Sequence, residues 1–427
     1  MTTSKLSYTP NILVISNNPF SETANNGKTL ASFFKNIPKE NLAQLYFKNE
    51  EPYLEVCENF YKITDSDMVN AIKKGTKING TVKSTSEGEP ELLYKPKKKI
   101  KKNNITRLAR ELVWKTKKWD NENLWNWLDN FKPDIVFFTA GDSLFAYEIA
   151  NIITKKYKAK KVIYITDDYI LPRFTFSPFW WIRRGLIEKK IKITLKGSDL
   201  FITISKEMKN IYRKKFKKDS FLLMNISPSM RYQISNKKDE SIRLIYAGGL
   251  HYKRYESLAL IARAISKINN QLEKQLVRLD IYTFSKVEEK VREKIELHNS
   301  IEIHEPLNTM DLKRQLNLAD ILVHVESFDK KSIASTRLSI STKIPEYLSL
   351  GKPILAVGPD NISSMSYLRD NAFCITKPNL IEDELKKLIE DKELRKRLGE
   401  KSLKTYQEDH NPEKNIEEFT SLLYSLM

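Results

Sequence analysis

Residues 341–359 constrain the fold more than any other stretch of the chain. Ser341 or Thr342 is placed to cap a helix, Pro345 is tolerated in its first turn, and Gly351 followed by Pro353 ends it. Residues 354–357, Ile-Leu-Ala-Val, then read as a short buried strand closed by Gly358-Pro359. A helix running through a tight turn into a wholly apolar strand predicts a parallel strand of an α/β sheet. Tyr347, Leu348 and Leu350 are packing types. Glu346 instead sets a carboxylate near the helix start, where freed backbone N–H groups favour anions. A carboxylate beside an anion site suits the ribose and diphosphate of a nucleotide; it also complements a helix dipole with no ligand present.

The run Thr342-Lys343-Ile344-Pro345-Glu346-Tyr347-Leu348 with Gly351-Lys352-Pro353 resembles the pattern of retaining glycosyltransferases of family 4, of the bacterial surface-polysaccharide type. That family has the α/β GT-B fold, two Rossmann-like domains whose parallel sheets face a central cleft. The resemblance implies that Glu346 binds the ribose hydroxyls of a sugar nucleotide and that Ser341, Thr342 and Lys343 meet its diphosphate. It is strong over residues 242–360 and moderate over residues 133–206. It divides the chain into an N-terminal acceptor-binding domain (1–227), a linker (228–241), a nucleotide-sugar-binding domain (242–405) and a helix returning to the first domain (406–427). The linker is also marked by composition, with Pro228 followed by a polar run and a Lys-Lys-Asp-Glu cluster.

At 427 residues the chain exceeds what one core ordinarily serves and suits two domains of about 200 residues each. No apolar run is long enough to span a bilayer. Residues 1–10 are polar and lack the apolar core of a signal peptide, so a cytoplasmic location is expected. Cys57 and Cys374 fall in different expected domains and build neither a disulfide framework nor a thiolate metal site. The five histidines show no metal-ligand spacing on one helix face, so no metal or other cofactor is expected. Charge is one-sided: residues 1–250 hold 45 Lys and Arg against 26 Asp and Glu, whereas the rest holds 28 of each. Such asymmetry is either a lysine-rich compositional bias or the mark of an anionic partner for the first domain, a membrane surface or a phosphorylated acceptor.

Residues 11–16 read as a first buried strand, and residues 17–27 as a polar loop leading into a helix. Asn25-Asn26-Gly27-Lys28-Thr29 has the end of a phosphate loop, but Glu22 stands where the leading glycine belongs, which excludes a P-loop NTPase. The resemblance allows Asn26 and Gly27 to approach donor phosphate or acceptor; a plain βα turn reads equally well. Residues 65–122, broken by glycines and carrying a lysine run at 95–102, read as a charged surface insertion. Trp114, Trp119, Trp125 and Trp127 read as core aromatics rather than a ligand platform. Strands at 133–138 and 162–165 deliver Asp142 and the pair Asp167-Asp168 to one sheet edge. The resemblance implies that Asp167 or Asp168 contacts the transferred sugar, while Asp142 meets the acceptor or caps the next helix.

Residues 173–184 hold five aromatics between basic residues. Phe179, Trp180, Trp181, Arg183 and Arg184 suit a membrane interface, with rings at headgroup depth and arginines on phosphates; an aromatic core helix is the alternative. The second domain opens with a strand at 242–247 and a turn, Gly248-Gly249, that lets backbone approach a phosphate, followed by Lys253 and Arg254 to neutralise a leaving diphosphate. Family members carry an arginine where Gly249 stands. They also carry a glutamate eight residues before Glu346, where this chain has Leu338. Lys343 or Glu326 is placed to compensate. Residues 329–341 read as a polar, mobile loop.

The expected function is transfer of a sugar from a nucleotide diphosphate sugar, a UDP-sugar first, to an acceptor hydroxyl with retention of configuration. The expected acceptor is a glycan, lipid-linked and met at the inner face of the membrane. The alternatives are a non-catalytic GT-B subunit that binds acceptor and supports a partner enzyme, and a sugar-nucleotide epimerase on the same fold. Specific nucleic-acid binding is not expected, because the basic first half contains no recognisable binding module.

Overall fold

A computed structural model describes residues 8–22, 25–78, 81–83, 103–232, 241–271, 277–297 and 299–427. Its contacts divide the chain into two compact units. Unit 1 is Met1–Leu171, Thr175–Leu223 and Glu413–Met427; unit 2 is Pro172–Phe174 and Met224–Pro412. Most of the expected linker, residues 233–240, lies outside the described residues, as does the lysine run at 95–102.

The sheet of unit 1 contains β1 (Ile12–Ser16), β2 (Leu42–Tyr46), β3 (Asn59–Lys62), β4 (Thr81–Lys83), β5 (Ile135–Ala140), β6 (Lys160–Ile165), β7 (Leu200–Thr203) and β8 (Phe221–Leu222). Their spatial order is β4-β3-β2-β1-β5-β6-β7-β8, and all neighbours are parallel except β3 and β4. β1, β2 and β5 are buried at every position, which requires cover on both faces. Part of that cover is the C-terminal helix Pro412–Tyr424, whose Phe419 meets Phe34 and Phe137 edge-to-face at ring-centroid distances of 5.2 and 5.8 Å.

Unit 2 contains β9 (Ile242–Ala247), β10 (Val277–Tyr282), β11 (Ile301–His304), β12 (Ile321–Val325), β13 (Ile354–Val357) and β14 (Phe373–Ile375). They are ordered β11-β10-β9-β12-β13-β14 and pair in parallel throughout. The helix Arg254–Gln271 buries Leu258, Ile261, Ile265 and Ile268 against this sheet. In each unit the chain winds outward in one direction and then restarts in the other. The switch lies between β1 and β5 in unit 1 and between β9 and β12 in unit 2, and at such points the loops leaving the strand ends part and leave a crevice.

Three local expectations change. The first helix begins at Asn25, so Asn26 and Gly27 lie in its first turn rather than in a loop. At both ends of residues 65–122 the chain is packed rather than inserted at the surface: the helices Asp65–Lys74 and Asn104–Lys115 pack into unit 1, the second burying Glu111 and Trp114, while residues 84–102 between them lie outside the described residues. Residues 329–341 contain a helix, Lys330–Thr336, because Asp329 accepts the N–H of Ser332 at 2.9 Å and caps it. The tryptophans at 114, 119 and 127 are core residues, and Trp125 is half-buried under the ammonium of Lys156.

Candidate functional site

At the switch point of unit 2, three loops meet the end of β9. The turn after β9 is crowded by side chains around its glycines: a Cβ on Gly248 would lie 2.8 Å from the Tyr246 hydroxyl, and one on Gly249 would lie 2.4 Å from Nδ1 of His251. Tyr252 and Lys253 follow with φ of 56° and 55°, two successive non-glycine residues in the left-handed region. Each costs about 1–2 kcal/mol of backbone strain, a kind of strain that persists where a site over-determines the chain. Arg254 then opens the long helix and lays its guanidinium on Glu326 at the end of β12, with Nη2 3.1 Å from Oε2 and 3.2 Å from Oε1.

Glu326 is almost wholly buried. Gly358, at the end of β13, makes room for it: a Cβ there would stand 2.8 Å from the Cβ of Glu326. Burial opposes ionisation of Glu326, but His324, 3.4 Å away, and Arg254 outweigh it and hold the carboxyl below its ordinary value. His251 is pushed below the ordinary histidine value by burial and by Arg254, whose Nη1 lies 3.3 Å from its Nε2. Lys253 reaches Asp329 at 3.0 Å, and that contact together with the capped N–H of Ser332 brings the Asp329 carboxyl down to about 2.

The helix Lys343–Ser349 is tied to the same place, since the Tyr347 hydroxyl accepts the N–H of Ala247, the last residue of β9, at 2.9 Å. That bond fixes the neighbouring Glu346, whose carboxylate lies 3.3 Å from Nζ of Lys343. Thr342 does not cap this helix; the Ser341 hydroxyl accepts the N–H of Lys343 at 3.3 Å instead. Gly248, Gly249, Arg254, Glu326 and the 343–349 helix are thus assembled at one strand end. Leu338 is buried and brings no polar group there.

At the switch point of unit 1, Gly27 is required because a Cβ would meet the carbonyl oxygen of Pro19 at 2.2 Å. Asn26 donates to Thr166, just beyond β6, at 3.1 Å. Asp142 does not cap the next helix, and its side chain is 32% exposed beside two arginines. Its carboxylate takes Arg107 at 2.7 Å and Arg183 at 2.8 Å, and these guanidinium charges overcome burial to hold it below the ordinary aspartate value. The cap of Leu144–Tyr157 comes from Glu111, whose carboxylate accepts the N–H groups of Leu144 and Phe145 at 2.9 and 3.1 Å. Asp168 is buried, and its Oδ1 accepts the N–H groups of both Ile170 and Leu171 at 3.0 and 2.9 Å, which shapes the turn. Asp167 is exposed beside the Tyr169 hydroxyl, 3.4 Å away.

The aromatic segment divides differently from expectation. Phe179 and Trp181 are exposed and Trp180 is half-buried. Arg183 is turned inward onto Asp142, and Arg184 donates to the carbonyl of Ile170 at 2.6 Å and pairs with Glu188 at 3.4 Å. Neither arginine is a surface cation. Away from the switch points, Asp280, Glu302 and His304 form a cluster of metal-ligand type on β10 and β11. Arg243 and His304 already occupy the Asp280 carboxylate, which opposes a cation there.

The depressed carboxylates give these networks a pH dependence. Asp142, Asp280 and Glu326 each ionise below their ordinary values of 3.8, 3.8 and 4.5. Their stabilisation is present above those values and is lost as the pH falls through the lower folded ones. The urea midpoint therefore drops as the pH falls below about 4.5, and the drop is smaller in Glu326→Gln, which has no carboxyl there to protonate.

No protein-family model matches the chain, and no curated protein matches it in sequence. Solved structures do match it in shape. TarM gives a TM-score of 0.61 at 13% identity, over 97% of this chain and 99% of that one. The α,α-trehalose-phosphate synthase (UDP-forming) from Burkholderia vietnamiensis gives 0.61 at 10% identity, over 97% of this chain and 100% of that one. A glycosyltransferase from Rickettsia africae gives 0.59 at 13% identity, over 97% and 99%. Identities this low speak to fold, and with two parallel-sheet α/β units matched along nearly the whole chain, that fold is GT-B.

Proposed function

We propose that the protein is a retaining glycosyltransferase of the family 4 type, moving a sugar from a UDP-sugar to the hydroxyl of a lipid-linked glycan in surface polysaccharide assembly. The observation that carries this reading is the assembly at the end of β9: a side-chain-free glycine turn, two strained residues, the Arg254 cation and the helix bearing Glu346. The names of two structures of the same fold, a UDP-forming synthase and a glycosyltransferase, support it. In this reading the diphosphate lies on the Gly248-Gly249 turn, where backbone can approach closely, and the ribose hydroxyls lie on Glu346. Lys253 and Arg254 stabilise the charge that grows on the departing diphosphate, and Glu326 holds the Arg254 fork in orientation. Ser341, Thr342 and Lys343 flank the diphosphate, and Asn26 and Gly27 border the acceptor. Asp167 contacts the transferred sugar, because it is exposed, whereas Asp168 is buried with its Oδ1 engaged in the turn. The acceptor attacks from the face that the diphosphate leaves, which retains configuration, and no step is routed through a metal.

The test is incubation with UDP-sugars and a lipid extract of membranes, reading UDP release and the anomeric configuration of the product by NMR. Acceptor-dependent UDP release with a retained product is expected. Turnover without acceptor would replace transfer by epimerisation, and an inverted product would require a general base instead. A second reading, a non-catalytic subunit, is favoured by Leu338 and Gly249 at positions where the resembled family has a glutamate and an arginine. UDP binding without turnover on any acceptor would establish it.

A further inference from the structure

The helix Pro178–Lys196 has one face packed into unit 1 through Arg183, Ile187, Ile191 and Leu195. Its other face is unlike a solvated surface. Phe179, Ile182, Leu186 and Ile193 recur at spacings of three, four and seven, which aligns them in one stripe. Together with Trp181 they expose between 41% and 55% of their area, and Phe176, just before the helix, is fully exposed. Scattered apolar residues need no explanation, but apolar residues aligned on one exposed helix face, broken only where Lys189 and Lys190 stand between Leu186 and Ile193, mark an interaction site. Lys189, Lys192 and Lys196 are exposed at spacings of three and four and run alongside the stripe. The only carboxylate of the helix, Glu188, is already paired with Arg184 at 3.4 Å and Lys215 at 2.9 Å. The exposed face is therefore apolar and cationic.

We propose that this helix is a membrane-docking surface that lies flat on an anionic phospholipid bilayer. Phe176, Phe179, Ile182, Leu186 and Ile193 enter the acyl boundary, the Trp181 ring sits at headgroup level, and the three lysines rest on lipid phosphates. Charge complementarity selects the bilayer over a second copy of the chain, because a two-fold contact would set this patch on itself and bring the same lysines together. The lysines also take the part that the inward-turned Arg183 and the engaged Arg184 do not. This inference goes beyond the transfer reaction and does not depend on it, since unit 1 carries the whole surface.

The test is flotation of the full-length protein with vesicles of phosphatidylcholine alone or with about 30 mol% phosphatidylglycerol, at low and high salt, with no substrate present. The protein is expected to float with the anionic vesicles only, and less so as salt is raised. The triple variant Phe176→Ser, Ile182→Ser and Leu186→Ser, and the triple variant Lys189→Glu, Lys192→Glu and Lys196→Glu, each lower partitioning by about tenfold or more. Both change only exposed side chains, and an unchanged melting temperature verifies their folding. Failure to float with anionic vesicles at low salt overturns the proposal. So does flotation untouched by both triples. A dimer in sedimentation that the serine variant dissociates, without vesicle binding, assigns the face to a second copy instead. None of these readouts involves turnover, so failure here is separate from failure of the transfer reading.

Discussion

If the protein transfers sugar as proposed, Arg254→Ala is expected to lower the rate by about 10²–10³-fold, the usual cost of deleting one donor that faces a charge developing in the transition state. It also destabilises unit 2, because Glu326 is left nearly wholly buried without the guanidinium that offsets its charge. Breaking a buried pair from one side costs about 3 kcal/mol, towards the lower end here because Glu326 keeps His324 at 3.4 Å. The two losses separate in the double variant Arg254→Met, Glu326→Leu. Removing both charges restores most of the stability in a urea titration while the rate stays low. Recovery of both together would mean that Arg254 acts only in folding.

Asp142→Ala is expected to cost unit 1 about 3 kcal/mol, through the same mechanism with the signs reversed. Arg183 is buried and loses the carboxylate 2.8 Å away, keeping the backbone carbonyl of Asp142 at 2.6 Å and the more distant charge of Glu111, and Arg107 loses its partner at 2.7 Å. Asp142→Asn keeps an acceptor oxygen and loses the charge, so its cost falls between that of alanine and the native chain. Melting of the two variants checks the order. Since two arginines engage the Asp142 carboxylate, transfer as proposed, measured well below the melting temperature, should change little in Asp142→Asn.

What was legible in the sequence follows from how local each signal is. β1, β5 and β13, and most of β6, β9 and β12, are short apolar runs closed by turn residues, the composition that suits a parallel strand buried on both faces. The glycine turn and Arg254 were readable because both follow directly on such a strand. The helix Lys330–Thr336 was not, since its polar sequence gives no apolar period and only Asp329 and Ser332 mark its start. Glu111 was hidden for a different reason: it caps a helix that begins 33 residues later, and no local pattern joins the two. Arg183 shares an i, i+4 series with Ile187, Ile191 and Leu195, a helical face that points inward, but the partner that permits its burial lies 41 residues back in the chain. The pairing of Arg254 with Glu326 spans 72 residues and depends on β9 and β12 being neighbours, which only the sheet order fixes.

The central claim is that the end of β9 holds a nucleoside diphosphate with Glu346 on its ribose. Thermal unfolding with UDP, GDP, dTDP, CDP and CMP, in the native protein and in Glu346→Ala, tests it most directly. A ligand at about one hundred times its Kd adds about 2.7 kcal/mol to the state that binds it, which raises the melting temperature by several degrees in a unit of this size. Such a shift is expected with UDP in the native protein, and a much smaller one in Glu346→Ala. No shift with any nucleotide, or an equal shift in both proteins, would contradict it.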